Sequence, residues 1–197
     1  MTITIKDDTS SLIELLWVRE AWGLQPSGDI PPRLTRTPTR LTGKQADERW
    51  EEAWTPLWAA CVDHAGHSIE GTLARLQAAP PVSAERDQLL RRLVGPTWRE
   101  RFGERAFDES FETWQQQWFD DIVRSHTVLL EESPERRVVK DLAAAWEAGL
   151  TTVVTIPCTG DYTRIISDTA MLVTDDTRRD PLRYAIALRA FRHGEPS

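Results

Sequence analysis

Cysteine is scarce, with Cys61 and Cys158 the only 2 in 197 residues. That is too few for the disulfide framework that staples small secreted domains, although a single bridge stays open. Lysine stands only at Lys6, Lys44 and Lys140, so arginine carries nearly all the positive charge. Against 24 basic residues there are 31 acidic ones, a net charge of -7. A field of that sign repels phosphate backbones and anionic headgroups, which makes nucleic acid and membrane surfaces poor partners. Long apolar runs are missing: none approaches the ~18 residues of a membrane span. The first 22 residues place acidic side chains where a signal peptide needs positive charge. These absences point to the cytoplasm. Gly-x-Gly-x-x-Gly, a P-loop, Gly-x-Ser-x-Gly and His-Glu-x-x-His are absent as well, and no cofactor is expected.

What is present is the balance of a folded chain, 40% hydrophobic and 28% charged, of a length that suits one domain spanning residues 1–197. A short strand is expected over residues 2–5. Ser11 with Glu14 makes a capping-box pattern ahead of a helix over 12–22. Residues 25–43 carry four prolines and no amphipathic face, so they read as a long loop, extended along the surface and either mobile or functional. Trp50, Trp54 and Trp58 then fall on one helical face, with a kink or break expected at Pro56. Further helices are expected around 68–79, after the Ser83 cap, over 108–125 with Phe111, Trp114, Trp118 and Ile122 on one stripe, and from Pro134 to Gly149. From residue 150 the character changes: "TTVVTI" and "AMLVT" read as strands and Asp180-Pro181 opens a last helix. The expectation is an α+β protein, a helical body over about 1–149 followed by a small two-stranded C-terminal unit over about 150–193.

Nine tryptophans are many for this length, but spacing by four residues is what burial against a neighbouring helix demands. Trp98, off any stripe and beside Arg99 and Arg101, is the better candidate for an exposed binding contact. Cys61, His64 and His67 are spaced by three, yet no second pair completes a tetrahedral set, and no metal centre is expected. Asp120-Asp121 and Asp175-Asp176, adjacent in sequence, diverge around a helix and read as solvated surface.

The segment "TTVVTIPCTGDYTRIISD" is the sharpest chemical signal. Cys158 follows a strand, Gly160 permits tight curvature, and Arg164 lies six residues after the cysteine. The spacing resembles the Cys-x5-Arg phosphatases, which implies a thiolate nucleophile at Cys158, an anion-binding Arg164 and an acid such as Asp180 or Asp175. Asp161 departs from that pattern, since two like charges at ~4 Å cost about 4 kcal/mol at an effective dielectric near 20. No Ser or Thr follows Arg164, and no long helix can follow it before the next strand. A second likeness covers residues 148–191, whose rhythm is similar to the last strand–turn–strand–helix of nucleotide-sugar glycosyltransferases with two Rossmann-like domains. It implies that the two strands are parallel neighbours joined by a short helical turn. With no cluster that demands catalysis, the expected function is a protein–protein interaction module using the acidic surface or the loop 25–43. A phosphatase-like enzyme built on Cys158, Asp161, Arg164 and Asp180 is the alternative.

Overall fold

Two parts of the chain far apart in sequence, residues 4–6 and residues 152–174, meet in one sheet. The computed structural model describes residues 2–7, 9–42, 46–67, 71–96, 98–126 and 133–193. Strand β1 (Thr4–Lys6) pairs in parallel with β2 (Thr152–Ile156), and β2 pairs in parallel with β4 (Ala170–Thr174). Strand β3 (Thr163–Ser167) lies antiparallel to β4 at the far edge, giving the order β1-β2-β4-β3. All five residues of β2 and of β4 are buried, as strands covered on both faces require. The α+β class holds, but the sheet has four strands rather than two. It is also not confined to the C-terminus, because "TIK" at the amino end, residues 4–6, completes it. The strands β2 and β4 are parallel neighbours as expected. Their connection is β3 rather than a helical turn, since the chain overshoots to the edge and β4 then returns between β2 and β3.

The helices wrap both faces. On one side α1 (Ser10–Ala21) and α2 (Arg49–Gly66) bury Leu12, Leu15, Trp17, Trp54 and Trp58 in the same cluster as Val154, Ile156 and Leu172. Trp54 and Trp58 stack at 5.3 Å, and the Trp54 indole donates to the Leu15 carbonyl at 2.9 Å. Helix α2 runs through Pro56 without a break. Pro56 is exposed, as is Glu52, so the carbonyl that loses its partner faces water while the tryptophan stripe holds the opposite side. Helices α3 (Thr72–Ala78) and α4 (Ala84–Val94) form a satellite packed through Leu76, Ala79 and Leu89, with Ser83 capping α4 through its hydroxyl to the Arg86 amide.

A one-turn α5 (Arg99–Phe102), a 3-10 turn and α6 (Glu109–His126) bring Phe102, Phe111 and Trp114 into the aromatic cluster. Helix α7 (Pro134–Arg137) breaks at Val138 before α8 (Val139–Glu147), so the single helix expected there is two. The opposite sheet face is covered by α8 and, after the short α9 (Asp175–Arg179), by α10 (Pro181–His193). Leu142, Val153, Met171, Tyr184 and Leu188 share that second core. The helix that Glu14 belongs to starts at Ser10, ahead of the expected Ser11 cap, and the Glu14 carboxylate accepts from the Trp98 indole. Among the described residues no helix is long and apolar enough to cross a membrane.

Candidate functional site

The turn after β2 is closed by its own surroundings. Cys158 is fully buried, and burial pushes its thiol far above the usual range, with Glu20, Asp175 and Asp176 adding to the push against Arg19. Its amide donates to the Ile156 carbonyl at 2.8 Å, and the Thr159 amide to the Arg33 carbonyl at 2.8 Å. The Gly160 amide donates to Asp176 Oδ2 at 2.8 Å, and the Tyr162 amide to the Thr177 hydroxyl at 3.3 Å. The donors that would ring an incoming phosphoryl group therefore already hold carbonyls, a hydroxyl and one carboxylate. Arg164 sits on β3, not at the head of a helix, and pairs with Asp29 at 3.1 Å. Asp161 leaves the turn and meets Arg183 at 3.1 Å. Asp180 caps α10, accepting from the amides of Leu182 and Arg183 at 2.9 and 3.1 Å. The four residues that spacing grouped thus do not converge: Asp161 and Asp180 share Arg183, Arg164 turns to Asp29, and Cys158 is sealed in the core. The carboxylate that fills the turn is that of Asp176, not Asp161.

The other candidates divide in the same way. Trp98, expected to be exposed, is 5% accessible and packs on Phe107 with centroids 3.8 Å apart. Its short segment lacks a helical stripe of its own but lies over the aromatic core. Arg101 is exposed, and the side chain of Arg99 lies outside the described residues. Cys61 is buried, its thiol pushed up to about 12 mainly by desolvation. His64 Nε2 lies 2.8 Å from the Arg92 carbonyl and His67 Nδ1 lies 2.7 Å from the Asp63 carbonyl, so the trio goes three ways. No group of three metal-ligating side chains occurs among the described residues.

A cleft of about 240 Å³ opens elsewhere, along the carboxyl ends of the three parallel strands. Its lining follows from the topology. Asp7 comes directly after β1, Thr155 and Pro157 close β2, and Asp175 with Arg178 and Arg179 follows β4. Parallel strands point their carboxyl ends the same way, and in open sheets with helices on both faces ligands bind at that edge. The far wall consists of Trp114 and Trp118 on α6 together with Leu34, Thr35 and Arg36. Those last three belong to the proline-rich loop. Arg19 holds that loop by donating to the Pro31 and Pro32 carbonyls at 2.6 and 2.8 Å. The Glu20 carboxylate accepts from the Leu34 amide at 2.6 Å, and Leu34 bridges to Cys158. The Trp114 indole donates to the Arg36 carbonyl at 2.8 Å, tying loop to wall.

The polar groups of the cleft are unevenly satisfied. Arg36 pairs with Asp121 at 2.5 Å, Arg178 with Glu135 at 2.8 Å, and Arg179 with Asp175 at 3.4 Å. Asp175, expected on solvated surface, keeps only 23% of its side chain accessible. Burial raises its pKa, and Asp7 and Asp176 push the same way against Arg179 and Arg178. Thr155 is 2% accessible, and its hydroxyl has no hydrogen-bond partner among the described residues. Sequence reasoning named Asp175 only as an acid for Cys158 or as surface, and Asp121 only as surface, and grouped none of these as a site. The available signal was that Asp7, Pro157 and Asp175 each stand directly after a strand, which becomes a site once the strands are known to be parallel. No protein-family model matches the chain, and no curated protein or solved structure is significantly similar to it.

Proposed function

We propose that this protein binds a small polar molecule in the cleft at the carboxyl ends of β1, β2 and β4. The observation that carries the reading is Thr155, a residue of the cleft lining whose buried hydroxyl has no partner among the described residues. Burying a hydroxyl unpaired costs about 1–3 kcal/mol, and a ligand atom bonded there recovers it. The aromatic wall and the charged rim give what small-molecule sites commonly combine, apolar surface and a few convergent polar groups. The volume, about 240 Å³, suits a compact metabolite. The acidic surface or the loop 25–43 was expected to serve a protein-binding role; residues 31–34 of that loop are held by Arg19 and Glu20 of α1, and Leu34, Thr35 and Arg36 support the ligand reading as a wall of the cleft.

The test is a screen of metabolites below about 300 Da by thermal shift, followed by titration of the intrinsic tryptophan emission that Trp114 and Trp118 contribute. The expected result is a hit whose effect disappears in Thr35→Trp, which fills the cleft from its exposed rim. Hits unaffected by Thr35→Trp would move the site elsewhere, and a screen without hits would remove the reading.

A further inference from the structure

The cleft carries opposite charges in equal number. Asp7, Asp121 and Asp175 line it together with Arg36, Arg178 and Arg179. A purely anionic guest, such as a phosphate ester, would meet carboxylates at the strand ends. A purely cationic amine would meet the guanidiniums. Like-charge contacts of either kind are costly where solvent is partly excluded. A guest that carries both signs on adjacent atoms avoids the conflict, because it can face carboxylate and guanidinium together.

The two signs are also adjacent in the protein. Asp175 and Arg179 lie one helical turn apart on α9, 3.4 Å between charged atoms. Arg179 keeps 57% of its side chain accessible, so its guanidinium has donors to spare. Asp175 keeps only 23% of its side chain accessible, and that desolvation raises its pKa against the pull of Arg179 and Arg178. Thr155 supplies the unpaired hydroxyl on the strand between Asp7 and Asp175. The opposite wall is chemically different: beside the Arg36–Asp121 pair it presents Leu34 and the rings of Trp114 and Trp118, stacked 4° from parallel at 6.3 Å. A small zwitterionic head toward the sheet and a flat or branched apolar group toward α6 would match both halves.

Resting on the cleft as the binding site, we propose that its ligand is a free α-amino acid with an apolar or aromatic side chain. The ammonium group lies toward Asp7 and Asp175, the carboxylate toward Arg179 and the Thr155 hydroxyl, and the side chain against Trp118. Calorimetric titration of the full chain with L-phenylalanine, L-leucine, phenethylamine and 3-phenylpropionate tests this. L-Phenylalanine or L-leucine should bind, and each analogue that lacks one charge should bind about ten- to a hundredfold more weakly, as loss of a charge-assisted hydrogen bond implies. In Arg179→Gln, whose substituted side chain is largely at the surface, the preference for L-phenylalanine over phenethylamine should shrink about tenfold or more, with phenethylamine bound no more weakly because Asp175 loses its competing cation. Equal binding of the single-charge analogues, or no binding of either amino acid up to about 10 mM, overturns the proposal. The broader screen separates the two levels: a neutral sugar or other metabolite that binds and is blocked by Thr35→Trp would discard the amino acid and keep the cleft.

Discussion

Two places at the carboxyl end of the same strand, β2, behave oppositely. On one side the chain turns through Cys158, Thr159 and Gly160, and every main-chain donor there ends on a protein acceptor. On the other, three residues before Cys158, the Thr155 hydroxyl has no partner among the described residues. The turn looks reactive as a string of letters, and in the structure its amides are held by protein acceptors. The cleft looks like ordinary surface as a string and is the less satisfied place in three dimensions. What separates them is where the acidic residues after β4 point: Asp176 reaches into the turn and seals it, and Asp175 lines the cleft.

If the turn is structural, breaking its seal must cost stability. The largest effect is expected for Thr174→Val. The Thr174 hydroxyl donates to the Gly160 carbonyl at 2.6 Å and accepts from the Thr177 amide at 3.2 Å, at a residue with no accessible surface. Removing a helix cap and stranding buried partners costs about 2–3 kcal/mol, read as a lower urea midpoint at unchanged slope. A neutral outcome would mean that the turn is not held by this bond and would reopen it as a site.

The next effect comes from the thiols and separates buried from poised cysteine. Desolvation raises the pKa of Cys61 from 9.0 to about 12, and that of Cys158 rises further. An acid whose pKa is raised by folding contributes stability in full below its unfolded pKa, and that contribution is lost as pH climbs toward the folded value. Stability should therefore hold up to about pH 9 and then fall by at most about 1.4 kcal/mol per pH unit for each thiol. Alkylation by iodoacetamide at neutral pH should proceed only through unfolding, at equal rates for both cysteines. Rapid modification of Cys158 alone would mark it as an activated nucleophile.

The contrast also explains what could be read from the sequence. Apolar periodicity made α1, the tryptophan face of α2 and α6 legible, because burial against a neighbour imposes that spacing. The strands β2 and β4 were legible as short β-branched runs. Their parallel partner β1 has only three residues, and its pairing across nearly the whole chain leaves no local trace. The cleft depends on that pairing, so Asp7, Thr155 and Asp175 could not be grouped beforehand. The Cys158–Arg164 spacing misled for the converse reason. Spacing says how far apart two side chains lie along the chain, and β3 sends Arg164 to Asp29 instead of back over Cys158. Trp98 went the same way, its lack of a helical stripe concealing that its segment lies over the aromatic core.

The smallest effect is the most discriminating. Thr155→Val keeps the shape of the side chain and removes the unpaired hydroxyl, so the folded protein loses a desolvated polar group and gains a methyl beside Val173, its neighbour in the sheet. Stability should be unchanged or higher by about 1 kcal/mol, whereas the same replacement at Thr174 destabilises. Ligand affinity should fall about tenfold in the same variant. A gain in stability joined to a loss of binding is what a site kept open for a guest requires, because the protein alone bears the cost of the hydroxyl and only the complex recovers it. Should Thr155→Val destabilise the empty protein by 1 kcal/mol or more, the hydroxyl would be satisfied without a ligand, and the two sides of β2 would no longer differ.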